Sequence, residues 1–169
     1  MLIYIIFNNK IIMTDLKKIE SLIYKILPHK RSLLGFENLK TLEEIKNIIP
    51  IKIKSFKSGY RAYDWKVPLG WQCNSATIMN EDNEIIIDYK KNPFHVVAYS
   101  KKIELKTEWK NIKDKIFFNK QLPSSIPYRT FYYKRDWGFC VTKKQFQILS
   151  NQKGKLKISI NSKLKKDKM

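Results

Sequence analysis

An α+β fold is predicted by three features of this sequence. Two apolar stripes at helical spacing lie near the N-terminus, a middle section changes to short β-rich runs broken by Asn, Asp, Gly and Pro, and a last run alternates Leu156, Ile158 and Ile160. The first stripe is Leu16, Ile19, Leu22, Ile23, Ile26 and Leu27, with Thr14 or Asp15 placed to cap it and Pro28 to stop it. The second is Leu39, Leu42, Ile45 and Ile49, with Glu37, Glu43 and Glu44 toward its positive end and Pro50 as the stop. Together they are expected to form a helical pair packed on one sheet face.

Residues 62–67, 76–79, 84–89 and 94–100 then read as short strands of a small antiparallel unit, with Asn80-Glu81-Asp82-Asn83 and Lys91-Asn92-Pro93 as turns. Thr107 is expected to cap a helix whose inward face is Trp109, Ile112 and Ile116. An irregular connector from Leu122 to Pro127 follows. Thr142 with Gln145 three positions on predicts a capping box for a short helix through Leu149, and residues 155–160 a strand.

The length of 169 residues and a 43% hydrophobic content suit one domain's worth of buried core. A formal charge of +19 points toward anionic partners, yet the excess is Lys spread along the chain, and only four Arg are present. No specific nucleic-acid partner is expected. The dense basic run Lys163, Lys165, Lys166 and Lys168 reads as a solvated tail. Cys73 and Cys140 are too few for a disulfide framework and lack zinc spacing, so two reduced thiols in a cytoplasm are expected. The opening MLIYIIFNNKII is too short to span a bilayer and has no basic segment before it, so no membrane partner is expected. Met13 before Thr-Asp is an alternative start, which would make residues 1–12 a non-native leader.

Residues 127–140, PYRTFYYKRDWGFC, concentrate aromatic residues and two of the four Arg. They read as two short strands around a Lys-Arg-Asp break, a hairpin-like corner. Arg129, beside Arg135 and Asp136, either holds a substrate carboxylate or forms a structural Arg–Asp pair at a strand end. His95, followed by Val-Val-Ala-Tyr, is either strand packing or a cleft residue. Arg129, Asp136 and His95 are the substrate-cleft candidates. No residue is assigned as catalytic or as a metal ligand, because GxSxG, P-loop, Rossmann-glycine and HExxH patterns are all missing.

In order, SGYRAYDWKVPLGW, NPFHVVAYS and PYRTFYYKRDWGFC resemble the motifs of a bacterial zinc aminopeptidase-like family associated with surface polysaccharides. The resemblance extends over about residues 15–164. It implies a co-catalytic zinc peptidase core of α/β type, an inserted β-rich domain of unknown function and a C-terminal winged helix. On that basis residues 13–57 are the opening peptidase-core elements, 58–122 the inserted domain, 123–163 a return to the core, and 164–169 a basic tail. The family's metal ligands follow the strand that residues 155–160 represent, so no cofactor is expected in this chain, and zinc is implied for the complete family member.

The resemblance thus implies the N-terminal part of a metal-dependent amide hydrolase, not catalytic alone, acting on a peptide-like or amino-sugar-linked substrate. A C-terminal peptidase half, or self-association, is the expected partner, because the strand at residues 155–160 would otherwise leave an unpaired edge and an exposed apolar face. The alternative is a non-catalytic binding module that keeps the inserted domain; a basic nucleic-acid-binding protein is a third.

Overall fold

The computed structural model describes residues 16–167, in two compact units. The proposed leader, Met13, the cap at Thr14 or Asp15, and Lys168 lie outside the described residues.

The first unit takes in the chain up to Pro68 together with Asp167. Residues 16–26 are helical (α1), and the ladder closes with Leu27 N–H donating to the Ile23 carbonyl, just before Pro28 removes the next donor. Helix α2 (Phe36–Lys46) follows Gly35, whose φ of 142° needs a residue without Cβ. Only Thr41 is buried on α2. Its hydroxyl donates to the Glu37 carbonyl at 2.9 Å, so it accepts from Nδ1–H of half-buried His29 at 2.7 Å. Both expected helices exist, but their stripes are not core: Leu16, Ile19, Ile23, Leu27, Leu39 and Leu42 are all exposed. A two-residue hairpin, β1 (Arg61–Ala62) with β2 (Trp65–Lys66), turns through Tyr63 at φ 56°. The unit closes on itself where Ser58 N–H donates to the Asp167 carbonyl and Asp167 N–H to Ser58 Oγ.

The second unit, Leu69–Lys166, is built on a four-stranded antiparallel sheet. Its strands are β3 (Gly70–Met79), β4 (Ile85–Asp88), β5 (Ile103–Glu108) and, placed here because it closes the sheet, β8 (Lys155–Lys165), in the order β4-β3-β8-β5. The Asn80–Asn83 turn joins β3 to β4 as expected. Asn80 explains it: its Oδ1 accepts from Glu84 N–H and its amide donates to the Glu84 carboxylate, both at 2.8 Å. Alternation along the strands puts Ala76, Ile78, Ile87, Leu156, Ile158 and Ile160 on one dry face. Over it lie Ile112, Ile116, Phe139, Val141 and Leu149, the last from α3 (Lys143–Ser150). The capping box of α3 is formed: Thr142 Oγ1 accepts from Gln145 N–H, and Gln145 Oε1 accepts from Thr142 N–H.

Several expectations need correction. The strand at residues 155–160 is not an edge. As part of β8 it pairs with β3 on one side and β5 on the other, and Leu156, Ile158 and Ile160 are no more than 1% exposed. It runs on to Lys165, so Lys163 and Lys165 belong to the sheet, opposite Gln72 and Gly70. Thr107 does not cap a helix: it lies within β5 opposite Leu156, and two short 3-10 turns, Trp109–Asn111 and Lys113–Lys115, follow. One compact unit runs from Leu69 to Lys166, with β8 as the partner of β3.

The aromatic corner is not a hairpin. Residues 128–133 supply one bridge, Ala98 with Thr130, and then turn, while β7 (Phe139–Cys140) pairs in parallel with β6 (Ile116–Phe117). Gly138 permits this approach, since a Cβ there would come within 2.8 Å of both the Lys115 carbonyl and the Phe117 ring.

Candidate functional site

Residue 95 sits at the end of a 3-10 turn, Pro93–His95, started by Asn92, whose side chain accepts from Phe94 N–H. The expected strand does not start there because Phe94 N–H and His95 N–H both donate back to Asn92, to its Oδ1 and its carbonyl. This turn buries the imidazole to 5% exposure. Nδ1 lies 2.8 Å from the Cys140 carbonyl, an acceptor only, so Nδ1 carries the proton. Nε2 faces the Gln145 amide nitrogen at 3.4 Å. Gln145 Oε1 is already engaged by Thr142, so its NH2 points at the imidazole and Nε2 offers a lone pair. His95 is therefore a neutral tie between the 3-10 turn, β7 and the capped end of α3. Burial lowers its pKa from the ordinary 6.5, against opposing contributions from the Cys140 carbonyl and Asp88.

Asp136 is buried, and its two oxygens are held by Lys115 Nζ at 2.8 and 2.7 Å, with Lys134 Nζ at 3.6 Å. One oxygen also accepts from Trp137 N–H at 2.9 Å. The Lys115 hydrogen bond is the chief reason its carboxyl titrates below the usual range. The expected Arg–Asp pair is thus replaced by a Lys–Asp pair. Arg129 instead lays its guanidinium over the Phe117 ring, 4.2 Å from the centroid, with its side chain at the surface. Arg129, Asp136 and His95 each make a different contact, with the Phe117 ring, Lys115 and the Cys140 carbonyl respectively.

Cys140 is fully buried, and desolvation pushes its thiol up to about 12, which removes it as a nucleophile at neutral pH. Among the described residues no group of three or more His, Cys, Asp or Glu is placed to hold a metal ion. With both imidazole nitrogens of His95 committed, the described residues do not fit a catalytic zinc, which needs converging ligands and an open position. Lys115 and Gln145 are the partners that sequence reasoning missed at these sites. The capping pattern marked Gln145 locally, but its reach to a residue 50 positions away is tertiary. No helix among the described residues is long and apolar enough to cross a membrane.

The fold and these contacts define an α+β protein whose larger unit is an antiparallel sheet domain with an apolar core. Residues 70–163 match the family described as a domain of unknown function, DUF2172, and the chain belongs to that family. A Clostridium acetobutylicum protein, named for polysaccharide biosynthesis and an aminopeptidase-like domain, is 35% identical over 132 residues, 78% of this chain and 30% of its own length. A crystal structure from the same organism, named as a peptidase, superposes with a TM-score of 0.81 at 31% identity, covering 96% of this chain and 38% of that one. The chain thus spans about a third of the length of these relatives, and its aminopeptidase-like resemblance stands on all three likenesses.

Proposed function

We propose that this chain supplies the N-terminal portion and the DUF2172 domain of an aminopeptidase-like protein, and that amide cleavage next to a free amino terminus requires zinc ligands these residues do not provide. The observation that carries this reading is the 35% identity to a relative with an aminopeptidase-like domain, set beside described residues whose buried side-chain polar atoms all have hydrogen-bond partners. The partner is a peptidase-like C-terminal half or a second copy, and the substrate is peptide-like or linked to an amino sugar. Two free buried thiols suit a reducing cytoplasm.

The test is elemental analysis together with an aminoacyl p-nitroanilide assay on the purified chain. No stoichiometric zinc and no turnover are expected from the chain alone, with activity appearing on addition of the C-terminal portion of the Clostridium relative. Tight zinc binding that disappears in His95→Ala would overturn the reading. The alternative, a binding module without any peptidase role, would be favoured if the added portion neither bound nor turned over substrate.

A further inference from the structure

We propose that the aromatic run Trp71, Tyr99, Tyr132 and Tyr133, within the second unit, is a binding platform for an acidic oligosaccharide. The rings are continuous: Trp71 and Tyr99 stack at 6.3 Å and 21°, Tyr132 meets Tyr99 edge-on at 6.0 Å, and Tyr133 meets Tyr132 at 4.6 Å. Trp71, Tyr99 and Tyr132 are half-buried, and Tyr133 is 95% exposed. Tyr133, displayed in this way, contributes nothing to the core, whereas Trp71 anchors the run by also packing against the core cluster.

The backbone is held in an unfavourable shape to present it. Tyr99 has φ 66°, the left-handed region that bulky L-residues avoid, and strain of this kind gathers at binding sites. Bonds on both sides hold it there. Ala98 N–H donates to the Arg129 carbonyl and Phe131 N–H to the Ala98 carbonyl, at 2.9 and 2.8 Å. Trp71 Nε1–H donates to the Ser100 carbonyl, and Tyr99 O–H to the Leu69 carbonyl, each at 2.9 Å. The first ring of the run is thus tied to Ser100, the residue next to the strained Tyr99 that carries the second.

Ligand class follows from what surrounds the rings. Exposed Lys101, Lys134 and Arg135 lie within two residues of Tyr99 or Tyr133 in the chain, which places cations beside the aromatic run in sequence. A pyranose carrying a carboxylate has both complements, a C–H face for a ring and an anion for a cation, and the chain's charge of +19 favours it. Single-stranded nucleic acid, the competing polyanion, uses successive parallel faces for its bases. Here neighbouring planes turn to 85° and 72°, which breaks such a stack.

This inference goes beyond the peptidase reading and does not rest on it, since binding is measured without turnover. Intrinsic tryptophan fluorescence of the full chain would be titrated with short oligogalacturonate, with neutral cello-oligosaccharide and with a thymidylate oligonucleotide of equal charge. Oligogalacturonate is expected to bind best. Tyr133→Ala, at a site too exposed to affect folding, should weaken it about tenfold, the scale of a lost aromatic anchor. Replacing Lys134 and Arg135 by Ala should weaken binding and flatten its salt dependence. No binding of oligogalacturonate, equal or tighter binding of the oligonucleotide or the neutral glycan, or an unchanged affinity in Tyr133→Ala would each overturn the proposal.

Discussion

Trp137 shows how a residue of an irregular aromatic segment can belong wholly to the interior: it is 7% exposed and lies in the same core cluster as Phe139 and Ile116. Trp137→Ala should therefore cost about 3–5 kcal/mol, the range for truncating a buried aromatic, and a denaturant melt would read it. An unchanged midpoint would show an indole that contributes no packing. The neighbouring charges give a pH dependence with a definite sign. His95 has a folded pKa below its ordinary 6.5, so between those values the unfolded chain binds the extra proton and stability falls as pH drops. Asp136, also depressed in the folded state, acts in the same direction but only below about its ordinary 3.8. Urea melts should thus lose stability progressively below pH 6.5, and His95→Gln should flatten the slope between pH 7 and 5. A slope unaltered by that change would place the titrating group elsewhere.

At the scale of elements, the capping box of α3 is the clearest test of local reasoning, because both halves of it are formed. Thr142→Ala removes the acceptor for Gln145 N–H and should cost about 1 kcal/mol. It should also loosen the Gln145 amide that faces His95, so its cost and that of His95→Gln should fall short of additive in a double-mutant cycle. Strict additivity would mean the 3.4 Å contact carries no coupling. The box, the Asn80 turn and the α1 and α2 periodicities were legible because each is written within a few residues. The corner was not. Its strands pair with partners 32 or 23 positions away, Ala98 with Thr130 and Ile116 with Phe139, and aromatic content alone does not say which segment a strand will meet. Strand β5 went unread for a related reason: Thr107 before Trp109 and Ile112 imitates a helix start, whereas pairing with β8 imposes extended backbone through Glu108. The sequence named Arg129, Asp136 and His95 as cleft candidates, but Asp136 takes Lys115 across a tertiary contact that no spacing rule encodes.

At the scale of the whole chain, the placement of β8 reverses one expectation about stability. A terminal strand with an open edge would expose its apolar face and recruit a partner, whereas β8 sits between β3 and β5 and supplies three of the driest residues in the chain. The second unit accordingly has the features of a self-sufficient domain: a closed core, a central long-range strand and the family match over residues 70–163. The first unit has the reverse texture, with the apolar residues of α1 and α2 open and a groove of about 690 Å³ lined by Phe36, Leu39, Leu42 and Ile53. Two stabilities should follow from one chain. Native-state hydrogen exchange is expected to show amides of β3 and β8 opening only with global unfolding, while those of α1 and α2 exchange through low-energy local opening. A fragment of residues 69–166 should unfold cooperatively with the midpoint of the full chain's main transition, since β8 and both its partners are within it. If that fragment were unfolded, or if α1 and β8 exchanged at the same free energy, the chain would be one cooperative body and the independence of the sheet domain would be refuted.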